Sequence, residues 1–361
     1  MKKNYVIDKN ALKFIEKYLN SIAPTGEEEE GQKIWVKYIT PYVEKVQMDL
    51  YGTAVGIINS DSPYRLLIEA HADEISWYVN YIEKNGIIHV SHNGGSDHQI
   101  TLSKKVSIHT KKGIIDGVFG WPAIHIRKSL EEKYPSVDNI FIDIGADSIE
   151  EVLKMGVHVG CIVTYPDQFF VMNKNYFVSK SLDNKIGGFL IAEVAKMLVK
   201  NKIDLQFGLY VANSVQEEIG FKGAKIIANT IKPHIAIVTD VTHDTSNSMI
   251  SKRIEGDILC GSGPVITYSP SIKKDIREMI IDSANNAKIE YQRLVASRST
   301  GTDVDVIAYS GKGVLSALIS VPVKYMHTTV EMVHKQDVEK TILLIYEALL
   351  RINNNMDKFF V

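Results

Sequence analysis

Histidines and carboxylates recur in this chain at one kind of place, directly after a run that reads as a β-strand. Residues 66–70 run into His71-Ala72-Asp73-Glu74. Residues 207–212 run into Asn213-Ser214-Val215-Gln216-Glu217-Glu218, and residues 235–239 into Asp240. Residues 315–320 lead through Pro322 to His327, and Asp183 opens a helix after Ser181-Leu182. Ligands of open α/β sheets sit outside the carboxyl ends of the strands. One sheet edge therefore receives two histidines, a Glu-Glu doublet and two further aspartates.

That set suits a pair of divalent metal ions. Imidazole favours zinc or cobalt, and carboxylates can bridge two ions. Ions ~3.5–4 Å apart lower the pKa of a shared water toward neutrality and stabilise the oxyanion of an attacked amide. Such a centre also needs a carboxylate that is not a ligand, to take and return a proton. On extended backbone the side chains of Glu217 and Glu218 would point to opposite sides, offering one of each. A lone His or Asp at a strand end is commonly a cap or a satisfied polar group. The joint order His-x-Asp, Asp-Asn, Glu-Glu, Asp, His singles these out.

The elements that must position them are legible by period. Residues 9–22 carry Leu12, Phe14, Ile15, Tyr18, Leu19 and Ile22 at helical spacing, and Pro24-Thr25-Gly26 ends that run. A second helix is expected over 25–42, with Thr25 as its N-cap and Glu27 to Glu30 in the first turn. From 75 to 176 short β-rich runs (87–90, 105–109, 141–144, 161–164) alternate with turn residues, the texture of a small barrel or sandwich. After 180 strands and helices alternate again, with helices at 183–199, 223–230, 271–287 and 337–352. The expected fold is an α/β domain, residues 1–74 plus 177–361, with a mainly parallel mixed sheet flanked by helices, interrupted by a β-rich insertion at 75–176.

Composition removes other classes. Net charge is −2 over 361 residues, which gives no electrostatic case for nucleic acid or an anionic membrane. Two cysteines, Cys161 and Cys260, cannot build a disulfide framework or a four-thiolate site. The start has lysines but no following apolar stretch, and no run approaches a membrane span. A soluble, cytoplasmic protein is expected.

Several strings, taken in order, resemble the tetrahedral, dodecameric two-metal aminopeptidase family, which includes glutamyl aminopeptidases and cellulase-M-like members. They are His71-Ala72-Asp73-Glu74-Ile75, Pro122-Ala123-Ile124-His125, Ser181-Leu182-Asp183-Asn184-Lys185-Ile186-Gly187-Gly188, Gln216-Glu217-Glu218-Ile219-Gly220, Asp240-Val241-Thr242-His243, Gly301-Thr302-Asp303 and Pro322-Val323-Lys324-Tyr325-Met326-His327. The resemblance covers nearly the whole chain. It implies that His71 and Asp240 bind one ion, Glu218 and His327 the other, and that Asp183 bridges them. It makes Glu217 the general base and then acid, with Asp73 orienting His71. It also implies a cis Asp183–Asn184 bond, and places Gly301, Thr302, Asp303 and His125 near the substrate or, for His125, at the dimer contact. The insertion would mediate dimerisation within a homododecamer that admits peptides. Cys161 and Lys324 depart from the residues usual there, without touching a proposed ligand.

The alternatives are a two-metal N-acyl amino acid deacylase, an endoglucanase-type glycoside hydrolase and an inactive binding protein. Glycoside hydrolysis needs two carboxylates and no metal, which leaves both histidines unexplained. An inactive protein would have no reason to keep every ligand and the base.

Overall fold

Strands apolar at nearly every position must be covered on both faces, whereas alternating ones need only one buried face. Both kinds occur in the computed structural model of the chain, which describes residues 5–127 and 134–359. The first four residues, whose lysines enter the reading of the start above, lie outside the described residues. The chain forms two compact units. The first joins Met1–Glu74, Phe169–Met326 and Val330–Val361; the second joins Ile75–Gln168 and His327–Thr329.

In chain order the strands begin with β1 (Lys45–Met48), β2 (Ala54–Ile58) and β3 (Arg65–His71). Next come β4 (Ser76–Ile82), β5 (Ile88–Asn93), β6 (Lys105–Thr110), β7 (Gly113–Phe119), β8 (Ile142–Asp143) and β9 (Ile162–Thr164). Then follow β10 (Phe170–Met172), β11 (Tyr176–Ser179), β12 (Gly208–Ser214), β13 (Ile235–His243), β14 (Val265–Tyr268), β15 (Gln292–Val295), β16 (Leu315–Lys324) and β17 (Glu331–His334).

The first unit is built on an eleven-stranded mixed sheet, ordered β1-β2-β12-β3-β13-β16-β17-β11-β10, with β14 on β16 and β15 on β14. Its central strands β12, β3, β13 and β16 run parallel, so their carboxyl ends share one edge. Helix Leu182–Lys200 is buried along nearly its whole length, and Phe189, Leu190 and Ile191 join the core with Leu66 and Ile68 of β3. Each such side chain contributes about 1.5–3 kcal/mol by leaving water. The close approach depends on Gly187, where a Cβ would come within 2.9 Å of the Ala70 Cβ. Helix Lys9–Asn20 packs by its expected stripe, with Phe14, Ile15, Tyr18 and Leu19 buried, and Asp8 caps it by accepting from the Ala11 N–H at 2.8 Å.

The second helix differs from expectation. It spans Glu29–Ile39, and Thr25 does not cap it. The Thr25 hydroxyl donates instead to Asp73 Oδ2 at 2.9 Å. A buried carboxylate is a stronger acceptor for that hydroxyl than a helix-end N–H is a donor.

The second unit is a closed six-stranded barrel, β4-β5-β8-β7-β6-β9. Trp77, Val90, Ile108, Phe119, Ile142 and Val163 fill it, and Cys161 packs among them as a small apolar side chain. It also carries a helix, Ile149–Met155, started by Ser148 and stopped by Gly156 at φ +100°. The return to the first unit comes earlier than residue 177. Residues 170–172 read as more barrel texture, but they form β10 and pair with β11 in the large sheet. Among the described residues no helix is long and apolar enough to cross a membrane.

Candidate metal centre

β3 ends on His71, and its parallel neighbour β12 ends opposite it on Ser214. The Ala72 N–H donates to the Ser214 carbonyl at 2.7 Å, so the two chains leave the edge side by side. Asp240 lies within β13, the neighbour of β3 on its other side. Asp183 is fixed by its own N–H, which donates to Glu331 Oε2 at 2.9 Å. The Asp183–Asn184 peptide bond is cis. Asn184 Nδ2 donates to the Thr239 carbonyl at 2.9 Å, tying this turn to the strand that carries Asp240.

These elements crowd carboxylates around one imidazole. His71 Nε2 lies 3.2 Å from Asp183 Oδ1, 3.7 Å from Asp240 Oδ1 and 3.9 Å from Glu217 Oε2. Two overlapping groups, His71–Asp183–Asp240 and His71–Glu217–Glu218, each present ligand atoms within 4.8 Å of one another. On the other side of the ring, Nδ1 is 3.3 Å from Asp73 Oδ1.

Asp73 does more than face His71. Its Oδ1 accepts the Glu217 N–H at 3.0 Å and its Oδ2 the Glu218 N–H at 3.2 Å. One fully buried carboxylate thus holds both members of the doublet by their N–H groups and lies 3.3 Å from the imidazole. The doublet is not on extended backbone. It enters a tight turn in which the Gly220 and Phe221 N–H groups donate to the Glu217 carbonyl, after Gln216 at φ +58°. A turn and Asp73, rather than strand alternation, set the directions of the two side chains.

The electrostatics are those of buried, crowded negative charge. Burial pushes the Glu217 carboxyl well above its ordinary value, and Asp240, Asp303 and Glu218 add to the rise against the opposing pull of His71. Asp240 is raised chiefly by burial. Burial disfavours charge on His71, but Glu217, Asp183, Asp73 and Asp240 outweigh it and raise its pKa. Two or three carboxylates and an imidazole within bonding reach of a common point are a donor set for zinc-like or other first-row ions.

The profile of the M42 glutamyl aminopeptidase family matches residues 52–344. The chain belongs to this family. It is 30% identical over 346 residues to a lysyl aminopeptidase of Pyrococcus furiosus, covering 95% of this chain and 97% of the relative. Its structure matches a TET aminopeptidase from a Thaumarchaeota archaeon of marine sediment with a TM-score of 0.92, at 28% identity, over 98% of this chain and 99% of the other. It also matches the TET1 peptidase of Pyrococcus horikoshii, described as assembling into a tetrahedron or a large octahedral shell. There the TM-score is 0.82 at 28% identity, over 93% of this chain and 98% of the other. The M42 family fixes the reaction class as metal-dependent aminopeptidase chemistry, hydrolysis of a peptide bond.

Within this M42 chain the remaining expected residues are placed as follows. His327 lies three residues past β16, half-buried, and groups with the barrel unit. His125 is exposed on a short turn, Ile124–Ile126, in the barrel unit. Gly301 is exposed, but Thr302 and Asp303 are buried. Asp303 has buried polar partners. Its Oδ2 accepts from Ser214 Oγ at 2.9 Å, and it hydrogen-bonds Glu69, a fully buried residue of β3. The Ser214 hydroxyl also lies 2.6 Å from Glu69 Oε1. The sequence reading missed Glu69, Glu331 and Glu28. A charge inside the apolar run Leu66-Leu67-Ile68-Glu69-Ala70 was the available signal for the first. Glu28 is buried beside the Gln216 backbone, and burial lifts its carboxyl to about 7.

Proposed function

We propose that this M42 chain removes N-terminal residues from peptides with two divalent ions per subunit, zinc or cobalt. His71 and Asp240 would hold one ion, Glu218 and His327 the other, and Asp183 both. The observation that carries this reading is the buried crowd of carboxylates around His71 Nε2. Bound there, the ions supply Lewis acidity and a water of lowered pKa.

The chain's residues do the rest. Glu217 takes the proton from the attacking water and returns it to the leaving amine. Its pKa is raised in the metal-free chain, first by burial, and bound cations would draw it back down and leave the carboxylate able to take that proton. Asp73 keeps Glu217 aimed through the N–H it accepts, and keeps His71 Nε2 facing the ions. The solved TET1 dodecamer supports assembly as a homododecamer; that its dimers form through the inserted barrel, and that it works in the cytoplasm, rest on the sequence resemblance.

The test is a panel of aminoacyl chromogenic substrates, lysyl and glutamyl among them, with N-acetylated versions and a soluble cellulose derivative. Metal-stripped protein is assayed before and after zinc or cobalt. Cleavage of free-amine substrates alone, restored by metal, is expected. Cleavage of the acetylated set would move the reading to a deacylase, and cleavage of cellulose without metal to a glycosidase. Glu217→Gln should keep its metal and fold while turnover drops about 10²–10⁴-fold. Near-wild-type turnover would remove Glu217 from its role.

A further inference from the structure

The chain leaves the large-sheet unit for only three residues late in its course, His327–Thr329, and these group with the barrel. Two barrel residues grip them. The Gly95 carbonyl lies 3.0 Å from His327 Nδ1, and Lys104 Nζ donates to Thr329 Oγ1 at 2.7 Å. A carbonyl can only accept. In a neutral His327 the ring proton is therefore on Nδ1, and Nε2 keeps its lone pair.

The Gly95 carbonyl is itself held in place. The neighbouring Ser96 Oγ donates to the Ser76 carbonyl at 2.6 Å, and Asn93 Nδ2 donates to Ser76 Oγ at 2.8 Å. All three residues are buried. The gripped segment is equally constrained. Tyr325 and His327 both sit at φ +60°, a left-handed conformation that side chains other than glycine adopt only where the surroundings impose it. Thr329 is buried at the Lys104 contact.

We propose that the barrel, through the Gly95 carbonyl and Lys104, sets the tautomer and direction of His327 as a metal ligand. The barrel unit then fixes a histidine of its own, His327, for metal binding. The inference rests on the reading of His327 as a ligand. His71 offers the parallel, because its Nδ1 faces Asp73, two residues on in its own segment. His327 draws the equivalent partner from a loop more than two hundred residues away in sequence. Partners of this kind are worth about 10–100-fold in metal affinity.

The experiment uses full-length protein, stripped of metal and titrated with zinc against a chromogenic chelator, then with cobalt by visible absorption. His327→Ala comes first and should lose one of two ions. If it binds both ions as the wild type does, the ligand assignment fails and the inference with it. Lys104→Met and Ser96→Ala leave His327 in place. Each should weaken one ion about 10–100-fold, change the cobalt bands of that site, spare the other ion and regain activity in excess metal. A merely structural role would lower the unfolding temperature without singling out one ion. Wild-type affinities and cobalt bands in both variants, beside a His327→Ala that has lost one ion, would overturn the inference. Ser96→Ala keeps the test intact if Lys104→Met disturbs the barrel, and the reverse holds.

Discussion

Two buried charge clusters of the first unit meet at consecutive residues, Asp73 and Glu74, and burial leads them to opposite ends. Around His71 and Asp73 the carboxylates are pushed up, first by burial and then by one another. Glu74 is buried as deeply, yet its carboxyl is held down at about 2, because Lys180 and Lys185 outweigh the burial. Its Oε2 pairs with Lys180, and its Oε1 lies 3.1 Å from Lys185 Nζ and accepts the Ala23 N–H at 2.7 Å. Burial in turn draws Lys185 down to about 8, with Glu74 opposing. The difference is the source of the positive charge. The Glu74 cluster carries its own cations and is finished when the chain folds. The His71 cluster sets the carboxylates of Asp183, Asp240 and Glu217 against an imidazole, in a grouping that could hold a metal ion. Acidic residues alone do not mark a site; buried acidic residues grouped with histidine at metal-ligand distances do.

The largest effect should come from unbalancing the self-sufficient cluster. Glu74→Gln leaves Lys180 and Lys185 buried against a neutral amide, and removing one partner of a buried ion pair costs about 3–5 kcal/mol. Chemical denaturation should show that loss with and without added metal. A loss that metal restores would mean that the two clusters are one.

The His71 cluster should behave in the opposite way. Glu217 and Asp240 have folded-state pKa values above their unfolded ones, so the folded metal-free protein holds protons that the unfolded chain releases. Their stabilising contribution is present at acid pH and is lost as pH rises through and above the ordinary carboxylate range. His71, also raised, moves in the same direction as pH passes its folded value. Metal-free protein should therefore lose stability from about pH 5 upward, the ordinary carboxylate values lying near 4. Free metal at a hundred times its dissociation constant should return about 2.7 kcal/mol near neutrality. Calorimetry across pH on stripped and loaded protein checks both statements. A flat metal-free profile would show that these carboxylates are compensated after all.

How much of this was legible in the sequence follows from the range of each interaction. The Lys9–Asn20 stripe and the parallel core strands were legible because their periods are local and strong. The small barrel was legible as texture, but its end was not. β10 is assigned by what it pairs with, and Phe170-Val171-Met172 fits either sheet. The candidate ligands could be read because strand ends converge in any parallel sheet. Their support could not. Thr25 looked like a helix cap and became a partner of Asp73. Glu331 holds the Asp183 N–H from 148 residues away, and Glu69 meets Asp303 beneath His71. Such contacts depend on how elements pack, which a spacing rule does not encode.

The smallest expected effect probes the boundary between the clusters. Thr25 donates to Asp73 Oδ2 at 2.9 Å and is also 3.3 Å from the Glu74 carbonyl, so one hydroxyl touches both residues. Thr25→Val keeps the shape and removes only that donor. A hydrogen bond to a charged acceptor contributes about 1.5–3 kcal/mol. The Glu217 and Glu218 N–H groups still hold Asp73 in the variant, so the lower end, about 1.5 kcal/mol, is expected from thermal unfolding. If Asp73 belongs to the metal-dependent cluster, the loss should shrink when metal is bound, because ions on His71 and the doublet then fix the same loop from the other side. An equal loss in stripped and loaded protein would instead assign Thr25, and the edge it secures, to the self-compensated Glu74 cluster.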